Sequence, residues 1–385
     1  MYNNRTSLKI LLYGNAPLSI RRSQILMQHL FAEFGHQVSH VSPGFYSPST
    51  QATGSFTAQS GFAKKMLTLL SAMELLVKAS FADVIYLMPT NAYLIQPVLW
   101  ATKLFNLKLI VEVYLSTYDS LVRDRNLVPE DSLAAQTAKQ KDQLALSQAD
   151  YIIHTGRHEL AYWEKILDLT LDEHKILIAP LSFSPEITSQ RYFCEDGIFR
   201  VCWWGTFIPL HGLDKILEAA QILQQQSSIV EWVLFGVDNE FYTLYADEIQ
   251  QRGLTHVKLR KDLTFADGSL PAYLTQFCDL SLGIFGETQK ARYAVPNKLI
   301  EALAMGIPTL TMKSAALSEF FDPEADFWTC EPQGKAIAQM VLQVLQGKAP
   351  PVNWEQTRQK VLQTFSVSQY QQIVSDAIAK ATFTP

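Results

Sequence analysis

The chain has 385 residues and a formal net charge of −5. That length exceeds one ordinary hydrophobic core, because domains usually run to roughly 100–200 residues, so two domains are expected. The acidic balance argues against a broad nucleic-acid surface, and the 48% apolar content fits a globular chain.

From the N-terminus, polar MYNNRTS runs straight into an apolar strand, Leu8–Tyr13, with no signal-peptide pattern. A helix over Ser23–Phe34 follows, closed by Gly35 in a left-handed cap. Strands are expected at Gln37–Val41, Asp83–Leu87 and Leu107–Val113, the last two separated by a helix over Ala92–Leu104. Leu133–Ser147 reads as a helix and Tyr151–His154 as a strand. The apolar stretch Met66–Val77 (MLTLLSAMELLV) contains Glu74 and is too short to span a bilayer. Its first reading is a helix packed on the core. A helix at a membrane interface, with Lys64 and Lys65 ahead of it, is the alternative.

Leu181–Gly197 is polar and without period, which suits a linker. The alternation then restarts. Phe199–Trp204 is a strand, and Leu213–Leu223 a helix with one apolar stripe. Ile229–Phe235, Val257–Leu259, Leu280–Phe285 and Thr309–Met312 are further strands, and Ser366–Ala381 a last helix. Strand–helix–strand in series predicts α/β architecture: two doubly wound parallel sheets, in domains 1–190 and 191–365 with a terminal helix over 366–385. The cleft between facing halves is the expected ligand site.

Several chemistries are absent from the sequence. No Gly-x-Gly-x-x-Gly follows the first strand and no Walker loop occurs, which argues against a dehydrogenase or a P-loop enzyme. Cys194, Cys202, Cys278 and Cys330 are far apart with no CxxC pair. They read as reduced thiols of a cytoplasmic protein rather than metal ligands or disulfides. Arg21 and Arg22, near the first helix start, read as solvated surface arginines.

Gly286–Met312, GETQKARYAVPNKLIEALAMGIPTLTM, is the most informative stretch. Lys290 and Arg292 fall in a predicted loop, and Val295, Pro296 and Asn297 lead into a helix that carries Lys298 and Glu301. Cations beside a helix N-terminus suit a diphosphate. A glutamate next to an apolar helix face needs partners if it is buried, and two ribose hydroxyls would serve. The plainer reading is a surface glutamate. Upstream, Gly205 follows a strand directly, where a ligand can approach the backbone closely, and Gly212 opens a helix. In the first half, Glu112 ends a strand, and Ser116, Tyr118, Asp119, Arg123 and Asp124 form a polar run. Asp119 or Glu112 is placed to orient the hydroxyls of a ligand, or to form a loop ion pair with Arg123 or Arg125. His154, at a strand end, reads as structural.

GTFIPLHG, GIFGETQKARYAVPNK and EALAMGIPTLT together resemble the retaining glycosyltransferases of family 4, which have the GT-B fold. The resemblance implies two Rossmann-like domains facing a central cleft, and a terminal helix that crosses back to the first domain. It implies transfer of a sugar from a UDP- or GDP-sugar to an acceptor hydroxyl with retention, and no metal or other cofactor. By position, Glu301 matches the family's ribose-binding glutamate, Gly205 and Thr206 its phosphate-approaching Gly-Arg, and His211 its phosphate-binding lysine. Two departures stand out. Thr206 and His211 replace a basic pair, and Tyr293 replaces the first glutamate of the Glu-x7-Glu pattern. Lys290 and Arg292 are expected to restore the missing charge.

The expected catalytic residues are therefore Lys290, Arg292, His211 and Asp119. The expected donor-binding residues are Gly205, Thr206, Val295, Pro296, Asn297, Lys298 and Glu301. The acceptor, whether glycan, lipid or small molecule, and the oligomeric state are not legible. A cytoplasmic protein without nucleic-acid partners completes the expectation, with peripheral contact at the inner membrane face as a variant of it. The alternatives are a GT-B nucleotide-sugar epimerase and a non-catalytic nucleotide-sugar-binding protein.

Overall fold

The structure is a computed structural model that describes residues 8–16, 21–33, 35, 37–43, 62–183, 187, 190–191, 196–226, 230–237 and 240–383. Two compact units divide the chain: Met1–Pro180 with Ser368–Pro385, and Leu181–Val367.

In the first unit the elements run β1 (Lys9–Tyr13), α1 (Arg21–Gln28), β2 (Gln37–Val41), α2 (Phe62–Ala79), β3 (Val84–Leu87), α3 (Ile95–Phe105), β4 (Lys108–Glu112), α4 (Leu133–Ser147), β5 (Tyr151–His154), α5 (Arg157–Ile166) and β6 (Ile176–Ile178). The sheet order is β2-β1-β3-β4-β5-β6, and every pairing is parallel, for example Ile10 against Val84 and Val84 against Lys108. Continuous apolar runs such as LLY and VIYL form these strands because helices cover both faces, so neither side of the strand needs polar residues. Helix α4 begins where the Ser132 hydroxyl accepts the Ala135 N–H at 3.1 Å.

The second unit continues with β7 (Phe199–Trp204), α6 (Leu213–Gln225), β8 (Val230–Phe235), α7 (Glu240–Gln251), β9 (Val257–Arg260), α8 (Ser269–Phe277), β10 (Leu280–Leu282), α9 (Gln289–Tyr293), α10 (Asn297–Ala304), β11 (Thr309–Met312), β12 (Trp328–Cys330), α11 (Gly334–Leu345) and α12 (Trp354–Thr364). Its sheet is also parallel throughout, ordered β12-β11-β10-β7-β8-β9. The core joins Val201, Trp203 and Leu234 of the strands to Ile216, Leu217 and Ala220 of α6 and Ile337 and Val341 of α11. The last helix, α13 (Val367–Phe383), belongs to the first unit, where Tyr370 and Ala377 are buried.

Each sheet has one point where the chain reverses its direction of growth. In the first it falls between β1 and β3, in the second between β7 and β10. Ligands of open parallel sheets bind in the crevice at the carboxyl ends of such strand pairs.

Four sequence expectations change. Arg22 is not a surface arginine. It is buried and donates to Glu112, which also accepts from Tyr86 and, at 2.9 Å, from the Tyr370 hydroxyl of α13. Desolvating a guanidinium costs several kcal/mol, and a buried carboxylate with three donors offsets it. The first helix is shorter than expected, because its last turn, His29–Glu33, widens into a π-helical turn. Lys290 and Arg292 are not in a loop: the Thr288 hydroxyl caps Ala291 N–H and starts the short helix α9. Finally, α2 is only half a core helix, since its large apolar residues Leu69, Leu70, Met73 and Val77 are exposed.

Candidate functional site

The second switch point begins with the sequence WWG. Trp203 and Trp204 end β7, and Gly205 leaves the strand with φ +150°, in the region that favours glycine. A Cβ at this position would lie 3.0 Å from the Lys298 ammonium nitrogen and 3.2 Å from His211 Cε1. The glycine therefore keeps a narrow space open between backbone and cation. The Gly205 N–H bonds the Phe235 carbonyl at 3.0 Å, which fixes the turn.

The chain beyond β10 closes the other side. The Phe285 N–H donates to the His211 carbonyl at 3.1 Å, and Gly286 N–H to the Leu210 carbonyl at 3.2 Å. Gly212, at φ +63°, fits against the Phe285 carbonyl group where any side chain would collide. Helix α6 starts directly after it. The switch point is thus bounded by the β7–α6 turn, the chain after β10 and the N-terminal turn of α10.

Lys298 is the unusual residue. It is 5% exposed, and its ammonium nitrogen has no hydrogen-bond partner. It sits 4.0 Å from the centroid of the Trp203 indole, a cation–π contact. Burial pushes its pKa well below the usual lysine range, and the nearby Glu301 charge only partly opposes this. A buried amine without a hydrogen bond is costly, and an anion is one kind of partner that would relieve the cost.

His211 lies beside it and is neutral. Burial, and then the charge of Lys298, hold its pKa well below the ordinary histidine value. Its Nδ1 faces the Thr206 carbonyl, so Nδ1 carries the proton and Nε2 is the acceptor. Thr206 itself is half-buried and contributes this carbonyl.

Glu301 is one turn further along α10. It is buried, which overturns the surface reading, and accepts the Trp204 indole N–H at 2.9 Å. All residues of α10 from Lys298 to Ala304 are buried, and Leu299, Ile300 and Leu303 pack on Phe321, Phe327 and Phe365. That packing leaves Lys298 and Glu301 little freedom to move. The two tryptophans escaped the sequence reading. Their signal was a pair of tryptophans directly ahead of a strand-end glycine.

The remaining predicted residues are spread out. Val295 and Pro296 are half-buried at the start of α10, and Asn297 is exposed. Lys290 is half-buried on α9. Arg292 is exposed and lines a cavity of about 350 Å³ with Gly286, Tyr293, Lys313, Ser314 and Glu331. The structure brings Gly205, His211 and Lys298 together, with Glu301 next to them through Trp204.

In the first unit Asp119 is buried in a π-helical turn, Asp119–Asp124, and accepts the Tyr162 hydroxyl at 2.9 Å. It forms no loop ion pair with Arg123, which bonds Glu130 at 2.7 Å instead. Glu112 is committed to Arg22, Tyr86 and Tyr370 as described above. His154 is fully buried, takes the Gly156 N–H at 3.1 Å and meets Trp163 edge-on. Burial lowers its pKa to about 3, so it is a neutral packing residue.

At the first switch point the described residues place an amide side chain against the strand-end glycine. Gly14 leaves β1 at φ +129°, and a Cβ there would strike the Asn91 side chain. Asn91 takes the Asn15 N–H and donates to the Asn15 carbonyl, both at 2.9 Å, and to the Pro89 carbonyl at 2.7 Å.

Solved structures share this architecture. HepE from Anabaena, in complex with UDP, matches with a TM-score of 0.66 at 14% identity over 97% of this chain and 100% of its own. Sucrose-phosphate synthase from Thermosynechococcus elongatus matches with a TM-score of 0.67 at 15% identity, over 97% and 98%. A glycosyltransferase from Rickettsia africae matches with 0.67 at 11% identity over 100% of both chains. At these identities the likeness is one of fold, and the fold is GT-B. No family model matches the chain. No curated protein matches it either.

Proposed function

We propose that the chain is a glycosyltransferase that binds a nucleotide sugar at the β7/β10 switch point and passes the sugar to an acceptor hydroxyl with retention of configuration. The carrying observation is the buried Lys298 ammonium, without a partner, beside the bare backbone of Gly205. A diphosphate supplies what this group lacks. Its oxygens pair with Lys298 and with the N–H groups of Thr206 and Phe207, since the Gly205 N–H is held by Phe235, and Gly205 allows the approach. Glu301 takes the ribose hydroxyls, held in place by Trp204. The HepE structures determined with UDP and with UDP-glucose support this reading, since the fold is shared.

In the transfer, the bond between the anomeric carbon and the β-phosphate oxygen breaks, and negative charge grows on the leaving diphosphate. Lys298 stabilises that charge from a water-poor pocket, where a fixed cation is worth far more than in water. Because Lys298 supplies this cation, the reaction does not call for a bound metal. Lys290 and Arg292 on α9 add longer-range positive potential. The acceptor hydroxyl attacks from the face the diphosphate leaves and gives it its proton. His211, neutral with Nε2 free to accept, borders the same space.

The test is a panel of UDP- and GDP-sugars screened by thermal shift, followed by assay of the stabilising donor with candidate acceptors. Free nucleotide should appear only with both substrates, and the product's anomeric proton should keep the donor's configuration by NMR. Binding without turnover across the panel contradicts transfer, and an inverted product contradicts retention.

A further inference from the structure

The second helix of the first unit is built inside out. Its inward stripe is Ser71, Ala72, Leu75 and Ala79, mostly small residues that let it lie close to the sheet. Its outward stripe is Met66, Leu69, Leu70, Met73 and Val77, spaced by three or four residues and continued by Phe81 just past the helix end. A surface helix normally puts its large apolar residues inward and its polar ones outward. Here Val77 is 65% and Phe81 69% exposed.

The neighbouring helix α3 packs against α2 and extends the same surface with Trp100 and Leu104, one turn apart, at 61% and 67% exposure. Among the described residues, nine of the seventeen exposed large apolar side chains fall between positions 66 and 104. Scattered exposed leucines are ordinary, but a concentration of this kind marks an interaction surface.

Charge identifies the occupant. Residues 62–105 carry four lysines (Lys64, Lys65, Lys78 and Lys103) against Glu74 and Asp83, a balance of 4 − 2 = +2 in a chain of −5. Lys65 and Lys103 are exposed on the two helices, and Lys78 is tied to Glu74 at 2.7 Å. A helix with Leu, Met and Trp outward and lysines beside them is the pattern that settles into the interface of an anionic bilayer. No helix among the described residues is long and apolar enough to cross a membrane, so insertion would be shallow.

We propose that the α2–α3 face is a docking surface for anionic phospholipid membranes. The surface lies wholly in the first unit and does not depend on the reaction proposed above, so a vesicle result leaves that reading untouched. The full chain should sediment with vesicles of phosphatidylglycerol mixed with phosphatidylcholine, weakly with pure phosphatidylcholine, and be released by high salt. The double substitution Leu70→Gln/Met73→Gln should weaken vesicle binding by about tenfold or more, with the thermal melting temperature retained. Lys103→Glu should weaken it less. Absence of vesicle binding by the wild type overturns the proposal. So does equal binding by the double variant, or a dimer in light scattering that the double variant converts to monomer.

Discussion

At the end of β1, Gly14 turns out of the sheet and the amide of Asn91 fills the crevice beside it, with partners for its hydrogen-bonding groups. At the end of β7, Gly205 makes a similar turn, and the group beside it is the Lys298 ammonium, buried and without a hydrogen bond. The same topology thus sets a hydrogen-bonded amide beside one strand-end glycine and a buried amine without a hydrogen bond beside the other. Parallel α/β topology supplies a location for a ligand twice in this chain. Side chains make the two locations chemically different.

The contrast extends to the buried charges of each unit. Arg22 in the first is matched by Glu112, itself held by Tyr86 and Tyr370. Lys298 in the second has only the Trp203 ring and the more distant charge of Glu301. Removing a partner from the first cluster should therefore damage the fold, whereas removing Lys298 should not. The largest expected effect is that of Glu112→Ala, which strands the Arg22 guanidinium and should cost about 3–5 kcal/mol of stability in denaturant unfolding. A loss under about 1 kcal/mol would mean that Arg22 finds water, and the contrast would weaken.

Asn91→Ala comes next. It removes the Asn91 hydrogen bonds to the Asn15 N–H and carbonyl and should cost about 1–3 kcal/mol in the same measurement. Nucleotide affinity should stay at the wild-type value. A drop in affinity would mean that the first switch point also serves the ligand.

The smallest effect is one of pH. Burial holds Lys298 below its unfolded pKa. In the free protein this costs stability below the depressed value, and the cost fades as pH rises to the ordinary lysine value. A diphosphate raises the pKa again, so binding takes up a proton between the free and bound values. Nucleotide affinity should fall as pH rises through that window, and calorimetry in buffers of different ionisation enthalpy should register proton uptake. A flat pH profile would place the phosphate elsewhere.

Much of this was legible in the sequence. β2, α4, β5, β7 and β11 fall where their apolar runs and bounding turns predict. Those signals are local, because a strand covered on both faces must be apolar throughout. The burial of Glu301 was also legible, through the cations that flank it and the apolar face beside it. The fate of the cations was not. The sequence puts Lys290 and Arg292 in a loop and Lys298 on a helix, but only the packing of α10 against the end of β7 selects Lys298 for burial. Arg22 was misread for the same reason: its partner Glu112 is 90 residues away along the chain. On α2 the apolar run predicts a helix, but an apolar run does not say which of its faces is covered.

The most direct test is Lys298→Met, a substitution of similar length without the charge. The account predicts two changes of opposite kind: a higher melting temperature, because a costly buried amine is gone, and a loss of nucleotide-diphosphate affinity of about a hundredfold. Isothermal titration with the donor nucleotide, alongside thermal melting of the same sample, measures both. Unchanged affinity, or a lower melting temperature with the fold otherwise intact, would contradict the claim that Lys298 is held unpaired for a ligand.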